Sequence, residues 1–225
     1  MKNVLIQRIA DGSTYGKLMI LVGVLIACPL VILIFYPSEV EYAAAFAVPA
    51  LVSVAQGVIL CIVKPTGISR RKEWQSLMQE GSAPVLFTWA YAFLLGAIPF
   101  VVAGELPFIP ALFEAVSGWT TTGLTVVDVS KLPHIFLFHR SFMQFSGGMG
   151  FVIMIAMIIK GKQSVSLYSA EGHPDKIRPS LRETARTIFR IDMICLVIGS
   201  TAFTILGMPL FDSICHTMSA LSTAG

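Results

Sequence analysis

Four stretches of this chain run for 19 to 21 residues without a charge: 18–36, 43–63, 84–104 and 141–159. At about 1.5 Å per residue each makes a helix of roughly 30 Å, the thickness of a bilayer's hydrocarbon core. A fifth run, 191–206, is shorter and has Arg190 and Asp192 at its start. Charged residues are 13% of the chain, against about a quarter in soluble domains, and they gather between these runs. The expectation is an all-α polytopic membrane protein. Pro29 interrupts the first span, which neighbouring helices tolerate by satisfying the freed carbonyl. No small-residue cleavage site follows this run, so it reads as a retained helix and not as a removed signal peptide. The net charge of +3 is too small to point to nucleic acid.

Between the third and fourth runs lies a stretch that suits neither a span nor a surface loop. Residues 111–125 read ALFEAVSGWTTTGLT. Pro107 and Pro110 bracket a turn that can open a helix, since proline suits a first helical turn. A helix over 109–120 makes about three turns, roughly 18 Å, and reaches halfway into a bilayer. Residues 126–134 then lead back. A segment that enters, turns at Thr-Thr-Gly and leaves by the same face is how a pore builds an ion filter. The basic residues agree with re-entrance. Three (Lys2, Arg8, Lys17) precede the first span, four (Lys64, Arg70, Arg71, Lys72) follow the second, and seven lie from Lys160 to Arg190. All of these share one face if the spans alternate and the central stretch re-enters, leaving only Lys131 and Arg140 on the other. The positive-inside rule then puts the N-terminus in the cytoplasm. If 109–127 crossed fully, the loop 160–190 would face outward, against that rule.

A shift of 102 residues lays the end of the chain on this stretch without a gap. Pro107 falls on Pro209, Ser117 on Ser219, Thr121 on Thr223 and Gly123 on Gly225. Gly118 falls on Ala220 and Thr120 on Ser222, and the span from Pro84 falls on the run from Arg186. Two copies of span, short helix and Thr-x-Gly at one offset read as an internal repeat. Repeats of this kind frame the binding site in many transporter folds.

At these residues the chain resembles a known family, the Trk, Ktr and HKT potassium transporters, and in particular the N-terminal half of the bacterial Trk-type membrane subunit. The motifs that carry the resemblance are ALFEAVSGWTTTG (111–123), RSFMQFSGGMGFVI (140–153) and MPLFDSICHTMSALSTAG (208–225), with RETARTIFR (182–190) ahead of the second copy. The resemblance implies four span–pore-loop–span repeats of potassium-channel type around one pore, after two extra N-terminal helices. On this chain the two-helix hairpin would be 1–82, the first repeat 83–161, a cytoplasmic basic loop 162–185, and a second repeat, truncated at its filter, 186–225. The resemblance further implies potassium uptake across a cell membrane, in a bacterium the inner one. It implies a nucleotide-binding regulatory subunit on the cytoplasmic side and a homodimer of the complete protein. No directly bound cofactor is expected; K+ is the transported ion and the lipid bilayer the surroundings.

An ion entering a filter must exchange its hydration shell for oxygens at similar free energy, and rings of backbone carbonyls do this. Turning successive carbonyls toward one axis needs dihedrals that glycine adopts at little steric cost. The candidate filter residues are Thr120, Thr121, Thr122, Gly123 and Leu124, with Ser222, Thr223, Ala224 and Gly225 in the second copy. The carbonyls of Thr121, Thr122, Gly123 and Thr223 are those expected to hold potassium. The threonine hydroxyls can add oxygens or tie the strand to its surroundings. The short helix before them points its partly negative C-terminal end at the pore centre. A buried turn that merely needs glycine would explain a lone Thr-Thr-Gly, but not one that follows a half-length helix and is repeated. The candidate supports are Glu114, Ser117, Arg140, Gly147, Gly148 and Gly150. Glu114 either raises the cation concentration at the outer mouth or complements the helix dipole near water. Arg140 either snorkels to the outer interface or braces the filter through carbonyls. Ser146, Gly147, Gly148 and Gly150 allow close helix approach, with packing against the pore helix preferred over a gating hinge. Arg178, Arg182, Arg186 and Arg190 form one helical stripe, suited to lipid headgroups or to the regulatory subunit that the family implies.

Other classes find less support. Cys28, Cys61, Cys195 and Cys215 form no CxxC and mostly lie in apolar runs, so they read as buried small apolar residues. His134 and His139 fall near the outer edge and His173 in a loop, leaving no serine–histidine pair for an intramembrane protease. No zinc or phosphate-loop motif is present, and the chain reads as a non-enzyme. The remaining alternative is a non-conducting truncated fragment or an assembly subunit of a membrane transport complex, because two incomplete repeats do not close a pore.

Overall fold

The structure is a computed structural model that describes residues 14–62, 76–150 and 181–224, and these contain no strand. Helix α1 (Thr14–Ala27) passes into a 3-10 segment, Cys28–Ile34, and a second 3-10 segment, Pro37–Tyr42, leads into α2 (Ala43–Ile62). Then follow α3 (Ser76–Val102), α4 (Phe108–Trp119), α5 (His134–Gly148), α6 (Leu181–Ile205) and α7 (Leu210–Leu221). Among the described residues four segments are long and apolar enough to cross a membrane: Thr14–Ile34, Pro37–Ile62, Pro84–Val102 and Ala185–Ile205. Helices α4 and α7 have 12 residues each, about 18 Å, and are too short to do so.

Two spans differ from expectation. The first is not one interrupted α-helix. Pro29 has no N–H for the α ladder, and the chain around it tightens into the 3-10 segment instead. The expected span 141–159 begins earlier, because α5 starts at His134 directly behind Pro133. Arg140 therefore lies in the second turn of α5 and not at its edge. The remainder of that span, the loop holding Arg178, and Gly225 lie outside the described residues.

Small residues set the spacing of the first two helices. A Cβ on Gly16 would stand 2.6 Å from the Gly57 carbonyl oxygen, and one on Gly23 would stand 2.9 Å from that of Ala50. Tyr91 on α3 donates to Ser53 on α2 at 2.9 Å, and Ser53 donates to the Met19 carbonyl on α1 at 2.7 Å. A continuous apolar core joins Leu18, Val22, Phe46, Phe100, Trp119 and Met143. His139, expected near the outer edge, is fully buried in that core with its ring against Phe46 and Phe100. Pro99 leaves the carbonyl four residues back without its usual donor, and the Nε2–H of His139 donates to the next one, Gly96, at 3.0 Å.

The second 3-10 segment caps α5. Glu39 accepts the backbone N–H groups of His134 and Ile135 at 2.8 and 2.9 Å, and the His134 Nδ1 lies 2.8 Å from the same carboxylate. Two of the N–H groups that a helix start leaves unpaired are thus met by a negative charge. Tyr36 stacks on the His134 ring at 3.8 Å, and Phe211 from the start of α7 meets both rings edge-on.

Candidate functional site

The backbone of α4 and of the turn after it recurs in α7, 102 residues on. At the start, Ala111 N donates to Pro107 O at 3.0 Å, and Ser213 N to Pro209 O at 2.9 Å. At the end, the N–H groups of Thr120, Thr121 and Thr122 donate to the carbonyls of Val116, Gly118 and Ser117. Those of Ser222, Thr223 and Ala224 donate to Met218, Ala220 and Ser219 in the same pattern. Thr121 and Thr223 both have positive φ, 56° and 59°. For a β-branched residue this region costs on the order of 1–3 kcal/mol, so both turns are held against local preference. The spans before them recur at 103 residues, not 102. Helix α3 ends at Val102 ahead of a positive-φ Gly104, and α6 ends at Ile205 ahead of a positive-φ Gly207. The ungapped alignment is therefore one residue out in the spans. The difference is Leu106, whose N–H shares the Phe100 carbonyl with that of Glu105 and has no counterpart before Pro209.

Within the first turn the hydroxyls bind the chain to its own helix. Thr120 Oγ1 donates to the Val116 carbonyl at 2.7 Å, so the 2.8 Å bond between the hydroxyls of Thr120 and Thr122 has Thr122 as donor. Ser117 Oγ donates to the Leu124 carbonyl at 2.5 Å and fastens the far end of the turn. Among the described residues no donor takes the carbonyls of Thr121, Thr122, Gly123 or Thr223. Unclaimed main-chain oxygens of this kind can replace a cation's water. Gly123 has φ 79°, and a Cβ on it would overlap the Ala224 carbonyl. The two turns therefore meet there with no room for a side chain.

Glu114 and Arg140 are arranged differently from either reading of them above. Glu114, expected near water, is 2% exposed. Its Oε1 accepts Thr125 Oγ1 at 2.6 Å and Val126 N at 2.5 Å, and its Oε2 accepts Arg140 Nε at 2.8 Å. Arg140 thus neither snorkels nor reaches the turn's carbonyls; it pairs with the carboxylate that holds the returning chain. Gly147 abuts the Trp119 carbonyl so closely that a Cβ would overlap it, and a Cβ on Gly148 would stand 2.8 Å from that of Ser222. Gly150 has φ 74° just past the end of α5 and is buried. His216, at the position of Glu114 in the second copy, is exposed, and its Nδ1–H donates to the Asp212 carbonyl of its own helix at 3.0 Å. Ser219, the counterpart of Ser117, donates to Gln144 Oε1 on α5 at 2.5 Å. Thr125, Val126 and Gln144 are the participants that sequence reasoning misses. Only Gln144 carried a signal, its place four residues after Arg140 and four before Gly148. In the turn before α5, the hydroxyl of Ser130, with Lys131 beside it, holds the Asp128 carboxyl below its ordinary range. A cavity of about 600 Å³ lies beside the contact between the turns, lined mainly by α5 and α7, with Gly123, Arg140, Gln144, Asp212, Ser219 and Ala224 on its walls. Cys61 and Cys215 are buried, Cys28 and Cys195 half-buried, and none forms a disulfide.

Known proteins are similar to this chain in sequence and in fold. The family model described as TrkH, a cation transport protein, matches residues 50–225. The Trk system potassium uptake protein TrkH of Salmonella typhimurium is 36% identical over 166 residues, which make up 70% of this chain and 34% of that protein. The Trk system potassium uptake protein TrkG of Escherichia coli is 36% identical over 156 residues, 65% of this chain and 32% of that protein. The crystal structure of the potassium transporter TrkH from Vibrio parahaemolyticus is similar at a TM-score of 0.70 and 28% identity, covering 94% of this chain and 42% of that one. The chain spans about a third of the length of the curated relatives it matches. These relatives are transporters and not enzymes, and the apolar helices make this chain a multi-pass membrane protein. With the family model matched across more than half of its residues, the chain belongs to the TrkH family of cation transport proteins.

Proposed function

We propose that this chain forms part of a potassium pathway across the cell membrane, with the carbonyls of 120–124 and 222–225 as two sides of a selectivity filter. One observation carries the reading: the same strained turn occurs twice, with unclaimed carbonyls at Thr121 and Thr223, and the two turns touch at Gly123 and Ala224. Helices α4 and α7 each end at such a turn, and the partial negative charge at a helix C-terminus favours a cation beyond it. In this reading α3–α4–α5 is the first span–pore-loop–span unit, 83–161, and α6–α7 opens the second, 186–225. The hairpin 1–82 stands outside the pore, and the N-terminus is cytoplasmic in a bacterial inner membrane. The basic face from Lys160 to Arg190 is where a nucleotide-binding regulatory subunit would dock, and the complete protein would be a homodimer. Two turns make two sides of a ring, and a closed filter needs further sides.

The second reading, an assembly subunit or non-conducting fragment, is favoured by the described residues holding two such turns, which do not by themselves surround an ion. Uptake of potassium by a deficient bacterial strain tests both. The gene product should restore growth at low potassium; a product that reaches the membrane without restoring growth would favour the second reading. Gly123→Ser in the full-length product should cut the preference for potassium over sodium roughly tenfold, the scale expected of overpacking by 1–3 kcal/mol. Unchanged preference would count against the filter.

A further inference from the structure

We infer that one face of α5 is a spacer that sets the distance between the two turns, and that Gln144 is its positioning residue for ion selectivity. The inference deepens the filter reading and rests on it.

Arg140, Gln144, Gly147 and Gly148 are separated by four and then three or four residues, so they share one face of α5. That face touches both copies in alternation. Arg140 holds the first through Glu114, and Gly147 seats the Trp119 carbonyl at the end of α4. Gln144 holds the second through Ser219, and Gly148 seats Ser222 at the end of α7. The serine that occurs in both copies has a different task in each. Ser117 fastens its own turn through Leu124, whereas Ser219 fastens α7 to α5. The second turn is thus positioned relative to the first through the Gln144 side chain. No side chain cushions the contact between the turns, because Gly123 lies directly against the Ala224 carbonyl. A change in the α5–α7 separation therefore passes straight to the carbonyls, whose positions and field decide which ion they accept.

The test measures potassium-over-sodium preference in the full-length gene product for Gln144→Leu, Ser219→Ala, the double variant and Gln144→Glu. Each single change should lower the preference by about fivefold, the factor that one net hydrogen bond is worth. The double variant should match the singles, because both remove the same bond. Gln144→Glu keeps an oxygen for Ser219 and should restore most of the preference. Singles that leave the preference unchanged, or effects that add in the double variant, overturn the inference while the filter reading stands. A wild-type protein with no potassium-selective uptake overturns both. The ratio does not depend on how much protein reaches the membrane. Should Gln144→Leu not reach it, the ratio for Ser219→Ala, which loses a single oxygen, decides.

Discussion

A carboxylate at 2% exposure persists at Glu114 because three donors meet it, one of them the charged Arg140. Removing one partner of a buried pair leaves the other charge without its compensation, at a cost of about 3–5 kcal/mol. Glu114→Gln keeps the shape and loses the charge, so it should lower the thermal stability of the detergent-solubilised full-length protein by roughly 3 kcal/mol. Adding Arg140→Gln to it should recover part of that loss, since the two sites are coupled. A Glu114→Gln protein as stable as the wild type would mean that the pair contributes nothing. The sequence showed the acid on the short helix and the base at the next one, but not that they meet. They are 26 residues apart, and nothing in spacing tells which way a side chain turns across two elements. The αL threonines were equally hidden. A Thr-Thr-Gly announces its glycine as the flexible residue, whereas the strain sits also on Thr121, and only its recurrence at Thr223 shows it to be built in.

Among elements, the half-length helices were the most legible, because Pro107 and Pro209 mark their starts and the turn residues their ends. The observed bounds of α4, Phe108–Trp119, lie within a residue of the expected 109–120. The start of α5 was not legible, since 126–134 looked like a simple return while its last residue already belongs to the helix. What fixes that start is Glu39, 95 residues earlier, which no local pattern reveals. The same contact anchors the N-terminal hairpin to the helix that carries Arg140 and Gln144. Glu39→Gln retains acceptor oxygen but loses the charge facing the helix N-terminus, a change of about 1 kcal/mol. Amide hydrogen exchange should rise by about fivefold in the first turn of α5, from His134 to Leu137, with α2 and α3 unchanged. Protection that stays the same throughout would show that Pro133 and the Tyr36 stack hold the turn without the carboxylate.

At the scale of the molecule, the position of the two turns in the membrane depends on one topological question: whether the chain after α4 returns to the face from which α4 started. Its length, about 18 Å for 12 residues, forbids a crossing by α4 alone, but 109–127 taken together would be long enough. Lysine and arginine counts favour the return, and surface chemistry can decide it. Lys131 is exposed in the turn before α5, and Arg186 is exposed near the start of α6. Replacing Lys131 by cysteine removes only an exposed pair with Asp128, worth about 0–1 kcal/mol, so the variant should fold normally. In a background with Cys28, Cys61, Cys195 and Cys215 changed to alanine, Lys131→Cys should react with a membrane-impermeant maleimide in intact cells. Arg186→Cys should react only after the cells are opened. If 109–127 crossed the bilayer, both positions would change sides and the labelling would be reversed. The carbonyls of Thr121 to Gly123 would then sit at a membrane surface, where water competes for every cation they could hold. With the expected pattern they sit at the inner end of a half-length helix, where water is scarce and unclaimed oxygens compete well for a cation.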